Sequence, residues 1–140
     1  MSIVRSFLAW LRGDQTETTE RRPAPPPQER KPRHFAAVTV VHRAPSNAEV
    51  QDRVLYCVHT QSTPRWALFR CPCNCGQVIT LSLLAAHKPH WRILRGPYGH
   101  PSLHPSIWRN TGCLSHFWID DGQVIWCDDT GRHPDTRMYR

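Results

Sequence analysis

The chain has 140 residues, of which 39% are hydrophobic, enough for one domain with a tail. No stretch reaches the roughly 18–20 consecutive apolar residues of a membrane span, so an integral helical membrane protein is excluded. The formal charge of +7 is spread out, with seven basic against four acidic side chains in residues 1–33 and eleven against seven in the rest. That pattern lacks a dense basic tract with interleaved aromatics, which places nucleic acid last among the partners considered.

In chain order, Ile3, Val4, Phe7, Leu8 and Leu11 recur at spacings of three and four, predicting a short amphipathic helix over residues 1–12. Arg5 interrupts this apolar start and no small-residue cleavage site follows, so a secretory signal is not expected. Residues 13–33 read as a polar linker stiffened by the proline run Pro23–Pro27. From His34 the pattern changes to short β-type runs at 35–41, 54–59, 66–69, 77–84 and 91–94. Segments 115–119 and 123–127 flank Asp121-Gly122, a strong hairpin signal. The expected fold is a small α+β domain, mostly β. It is an antiparallel sheet stapled by zinc, spanning 34–130, with a C-terminal hairpin, a short N-terminal helix and a tail at 131–140.

Six cysteines in 140 residues are too few for a disulfide scaffold, which suits a reduced, cytoplasmic protein. Cys71, Cys73 and Cys75 alternate through a turn closed by Pro72 and Gly76. Asn74 and Gly76 tolerate positive φ, so the backbone can fold back and aim thiolates at one ion. Zinc takes four such ligands in a tetrahedron. Two or three would come from Cys71, Cys73 and Cys75, and the rest from Cys113 and Cys127, which bracket the hairpin. Such a structural zinc would staple a core too small to hold alone. Cys57 reads as an ordinary buried thiol.

Three serines and three histidines fall between His100 and His116. A hydroxyl near an imidazole is the minimum for nucleophilic catalysis by serine. A two-residue turn at Asp121-Gly122 pairs Ile119 with Val124 and puts His116 beside Cys127, close to the expected metal. In that register His116 is either a general base or a zinc ligand. A three-residue loop would put Ser115 there instead. His87 and His90 read as loop residues, and His100 and His104 as solvated positions before proline turns. Trp108, Trp118 and Trp126 fit either a groove or the core.

The segments FRCPCNCGQVITLSL, PSLHPSIW and GCLSHFWIDDGQVIWC, between Phe69 and Cys127, resemble a small bacterial family with the pattern CPCxCG…LxPSI…CxSHFxIxxGxIxWC. Its genes lie in operons for ubiquitin-like conjugation. The resemblance implies a serine peptidase that processes or removes a ubiquitin-like modifier, with activating- or conjugating-enzyme-like proteins as further partners. It also implies Ser106 of the PSI motif as nucleophile and His116 of the SHF motif as general base. The family's five cysteines fall on Cys71, Cys73, Cys75, Cys113 and Cys127. Asn74 stands where glycine is expected. No third catalytic residue is legible: Asp120 and Asp121 sit at the hairpin tip, leaving a backbone carbonyl or Ser102 to orient the histidine. A non-catalytic zinc-binding adaptor of the same conjugation system would need the cysteines and make no demand on Ser106.

Overall fold

The computed structural model describes residues 32–135. The expected helix at 1–12 and nearly all of the linker lie outside that range, as do residues 136–140 of the tail. Eight strands and no α-helix occur among the described residues: β1 Val38–Val41, β2 Leu55–Thr60, β3 Thr63–Arg70, β4 Val78–Ser82, β5 Arg92–Arg95, β6 Pro101–Trp108, β7 His116–Asp120 and β8 Gln123–Trp126. No helix there is long and apolar enough to cross a membrane.

The strands form two sheets of four, in the orders β1-β2-β3-β4 and β5-β6-β7-β8. This corrects the expectation of a single antiparallel sheet. A further correction is that β1 pairs with β2 in parallel, Val38 against Leu55 through Val41 against Val58, while the other five pairings are antiparallel. The parallel pairing is possible because residues 42–54 return the chain across the sheet before β2 begins.

Alternation along the strands explains how the two sheets share one core. Phe69, Ala67, Leu55, Ile79 and Leu81 of the first sheet join Leu103, Ile107, Phe117 and Ile119 of the second in a single buried cluster. Phe69 meets Phe35 and Phe117 edge-on at centroid distances of 5.3 and 6.4 Å. The opposite face of the first sheet is covered separately, with Val50 packed among Tyr56, Val58 and Leu68. This second covering leaves β2 buried on both faces, so Leu55–Val58 reads as a continuous apolar run.

The hairpin forms in the two-residue register, with Ile119 opposite Val124 and Asp120 opposite Gln123. Asp121 and Gly122 both adopt positive φ, 47° and 75°, as a type I′ turn requires. Gly122 also admits close approach of the chain. Its carbonyl accepts from Phe35 N at 2.9 Å, its amide donates to the Pro101 carbonyl at 2.7 Å, and a Cβ there would collide with the Phe35 carbonyl. Arg33 reaches the same tip and donates to Asp121 Oδ2 at 2.6 Å. Asp121 is thereby committed to the turn.

Strand β6 departs most from the sequence reading. Pro101 and Pro105 argue against a strand, yet Pro101–Trp108 forms one. Its pairing with β7 absorbs the prolines: Leu103 faces Ile119 and Ile107 faces Phe117, so four steps on β6 match two on β7. The bulged segment His104-Pro105-Ser106 needs no regular ladder bond from Pro105, and the His104–Pro105 peptide is cis. His100 and His104 are consequently not simply solvated. His100 Nδ1 bonds the Ala36 carbonyl at 2.7 Å, and His104 packs against Trp118 at 5.7 Å.

Phe35 has no accessible surface and lies against both sheets through Phe69 and Gly122. Phe35→Ala is expected to lower unfolding free energy by about 3–5 kcal/mol in urea titrations. Val40→Ala, at a strand position 42% exposed, is expected to stay within about 0.5 kcal/mol of wild type. Equal effects at the two positions would contradict this packing.

Candidate active site and cysteine cluster

The bulge in β6 turns Ser106 toward the face of the second sheet opposite the core. On β7, Phe117 and Ile119 point into the core, so His116 and Trp118 occupy that opposite face. Ser106 Oγ lies 3.1 Å from His116 Nε2. On the other side of the ring, His116 Nδ1 lies 2.5 Å from Asp129 Oδ1. The three side chains form one line of hydrogen bonds: serine, imidazole, carboxylate.

Each partner is held by its surroundings. The His116 ring is stacked flat on Trp108, with 4.2 Å between centroids and 1° between planes, and the residue is only 5% exposed. Its amide donates to Thr130 Oγ1 at 3.0 Å and its carbonyl accepts from Cys127 N at 2.9 Å. Past β8 the chain turns at Cys127–Thr130 (Thr130 N to the Cys127 carbonyl, 3.1 Å) and then returns to the loop ahead of β7, where Gly131 N donates to the Leu114 carbonyl at 2.9 Å. That turn carries Asp129 to the imidazole. Trp108 Nε1 donates to the Arg132 carbonyl at 3.0 Å, tying the stacked indole to the same segment. From the other side, Trp91 Nε1 donates to the Ser106 carbonyl at 3.3 Å.

Chemically, a carboxylate accepting from Nδ1–H leaves Nε2 as the acceptor for a serine hydroxyl proton. The tautomer follows from this network of partners. A second serine–histidine pair, Ser82 Oγ and His87 Nδ1 at 2.7 Å, has a different character. Ser82 is occupied by the Leu84 amide in a local turn, and no carboxylate among the described residues hydrogen-bonds His87. Ser102 is also committed elsewhere, since its hydroxyl donates to Asp120 Oδ1 at 3.1 Å and accepts from Asp121 N at 2.8 Å. It braces the hairpin tip and does not orient His116.

Asp129 has no counterpart in the sequence reading, which looked for an acid only at the hairpin tip. A signal was present in the register. Once Ile119 pairs with Val124, the residues just past Cys127 must emerge beside His116, and Asp128-Asp129 is the first acidic pair there.

The cysteines divide into two places. Sulfurs of Cys71, Cys73, Cys75 and Cys113 lie within 4.8 Å of one another. Cys71 Sγ is 3.3 Å from Cys73 Sγ and 3.7 Å from Cys113 Sγ. Cys127 falls instead in a separate group with His116 and Asp129. All six cysteines are free thiols, and Cys57 is buried in β2, where burial raises its pKa.

Local backbone builds the knuckle. Asn74 and Gly76 take positive φ, 65° and 79°, and Cys71 N donates to the Gln77 carbonyl at 2.8 Å. The Arg70 guanidinium fastens the knuckle to the neighbouring loop by donating to the carbonyls of Gly76, Val50 and Asn47 at 2.8–3.0 Å. On the far side, Gly112 and Leu114 at positive φ present Cys113 to the cluster. Burial drives the Cys71 thiol upward. At Cys113, burial is outweighed by the hydroxyl and amide of Ser115 and by neighbouring thiols, which lower it to about 6. A tetrahedral zinc with Zn–S near 2.3 Å would space its sulfurs about 3.8 Å apart. The observed spacing and the all-thiol donor set therefore fit such an ion.

The cluster and the serine site are covalent neighbours. Ser115 Oγ donates to Cys113 Sγ at 3.1 Å, and the next residue is His116. Among the tryptophans, Trp108 supports the histidine, Trp126 packs edge-on against Phe117, and Trp118 stands 37% exposed beside Ile125 on the outer face.

Compared with known proteins, the chain matches no curated protein and no solved structure. The family model for the bacterial ubiquitination-like system serine protease (BubE) does match, over residues 40–127, well over half of the chain, and the chain belongs to that family.

Proposed function

We propose that the chain is a serine peptidase that processes or removes a ubiquitin-like modifier, with Ser106 as nucleophile, His116 as general base and Asp129 as the residue that orients it. The line of hydrogen bonds from Ser106 Oγ through His116 to Asp129 carries this reading. As Ser106 Oγ attacks the carbonyl carbon, His116 Nε2 takes its proton. Asp129 stabilises the imidazolium that forms. His116 then gives that proton to the leaving group, and an acyl-serine remains. Water, deprotonated by the same nitrogen, releases the acid and restores Ser106.

The modifier's C-terminal tail would lie extended over the outer face of the second sheet. His104, Trp118 and Ile125 form a half-exposed row there, neighbouring Ser106. Activating- and conjugating-enzyme-like proteins of the same system are the further partners, and the cytoplasm is the compartment that suits six free thiols.

Cys71, Cys73, Cys75 and Cys113 would hold a structural zinc. Four thiolates complete the tetrahedron, so no position is left open for substrate. Its work is to fasten the knuckle at the end of β3 to the loop that leads into His116.

Two measurements test these assignments. Against the modifier extended beyond its C-terminus, Ser106→Ala is expected to lower kcat/KM by at least about 10³-fold, and Asp129→Asn by roughly 10²–10⁴-fold. Melting temperature and zinc content should be unchanged. Wild-type cleavage by Ser106→Ala would remove Ser106 from the mechanism and favour the adaptor role. Separately, protein dialysed against metal-free buffer should keep about one zinc per chain by elemental analysis. Cys75→Ser and Cys113→Ser should lose it and Cys127→Ser should retain it. Folded, zinc-free wild type would contradict the cluster assignment.

A further inference from the structure

Cys127 has no task in hydrolysis, yet the fold places it against two residues that do. The hairpin register sets it opposite His116, fixed by the bond from Cys127 N to the His116 carbonyl. The turn that follows brings Asp129 back to the same imidazole. One sulfur, one ring nitrogen and one carboxylate oxygen of these three residues consequently lie within 4.8 Å of one another. His116 is buried, and Cys127 and Asp129 are half-buried. The group shares no residue with the four-cysteine cluster. Trp108, stacked on the ring, and Thr130, bonded to the His116 amide, hold the three donors without adding a charge.

We propose that Cys127, His116 and Asp129 form a second, separate site for a zinc-class divalent cation. Mixed sulfur, nitrogen and oxygen donors suit borderline ions such as zinc or cobalt, and hard ions such as magnesium poorly. Three protein ligands leave a fourth position for water. The ion takes the place of the proton between His116 Nδ1 and Asp129 Oδ1, which move apart to admit it. The Cys127 thiol gives its proton to solvent, and the imidazole's single proton shifts from Nδ1 to Nε2, so one proton is released in all. The imidazole then carries its proton on Nε2, facing Ser106, and cannot accept another. An ion at this site therefore switches off the base. That consequence rests on the reading of His116 as general base, whereas the binding itself does not.

The test uses cobalt(II), which competes poorly with zinc for an all-thiolate site. Zinc-loaded wild type and Ser106→Ala are titrated with cobalt chloride, following the thiolate-to-cobalt charge-transfer band and the visible bands of a tetrahedral ion. One further equivalent is expected in both proteins. Cys127→Ser is expected to abolish the charge-transfer band and weaken cobalt binding about 100-fold or more. His116→Gln serves as the second variant should Cys127→Ser fail to retain its zinc, and it too should lose the site. No band in zinc-loaded wild type, or a band that survives Cys127→Ser, overturns the proposal. Because Ser106→Ala is scored by absorption alone, a failed peptidase assay would leave this result standing. In an active enzyme, added zinc should inhibit wild type at least tenfold more strongly than Cys127→Ser.

Discussion

Everything at the serine site depends on a mismatch of two residues between β6 and β7. Leu103 and Ile107 both point into the core against Ile119 and Phe117. Regular pairing of the three residues between them would leave one of those apolar pairs out of register. Burial of four fully or nearly fully inaccessible side chains holds both pairs in place, and the surplus backbone must bulge outward. Ser106 stands on that bulge. The hydrophobic core thus sets the position of a polar group whose hydroxyl faces the other side of the sheet.

A second constraint comes from the loop ahead of β7. Leu114 adopts φ of 54°, a conformation that costs a non-glycine residue on the order of 1 kcal/mol or more. Around it, Cys113 turns to the cysteine cluster, Ser115 donates to Cys113, and the Leu114 carbonyl accepts from Gly131. The same four residues therefore join the sulfur cluster, the histidine and the turn carrying Asp129. A metal held by Cys113 would steady the imidazole through three covalent steps of backbone. A metal with no open coordination position would in this way have a physical role in orienting His116.

Much of this was legible in the residues, and the failures have non-local causes. Asp121-Gly122 announced a hairpin but left its register between two- and three-residue loops, and the two-residue turn sets Cys127 opposite His116. The positive φ of Asn74 and Gly76 was readable because few other residues tolerate it. Strand β6 was hidden by Pro101 and Pro105, whose missing amides are harmless only because of a bulge that pairing with β7 creates. The division of the cysteines was equally non-local. Spacing offered five sulfurs for one ion, and only the hairpin's direction decides that Cys127 ends at the imidazole, away from the other four. Asp129 escaped for the same reason, since its role arises from a turn that closes onto another strand.

The central claim is that His116 and Asp129 make the Ser106 hydroxyl a nucleophile. A fluorophosphonate probe reports this most directly, because it reacts with activated serines whatever the natural substrate. Intact-mass analysis should show one adduct on zinc-loaded wild type, mapped to the peptide containing Ser106. The adduct should be absent from Ser106→Ala and strongly slowed in His116→Ala and Asp129→Ala. Labelling that maps to another serine, or that proceeds at the wild-type rate without His116, would contradict the account.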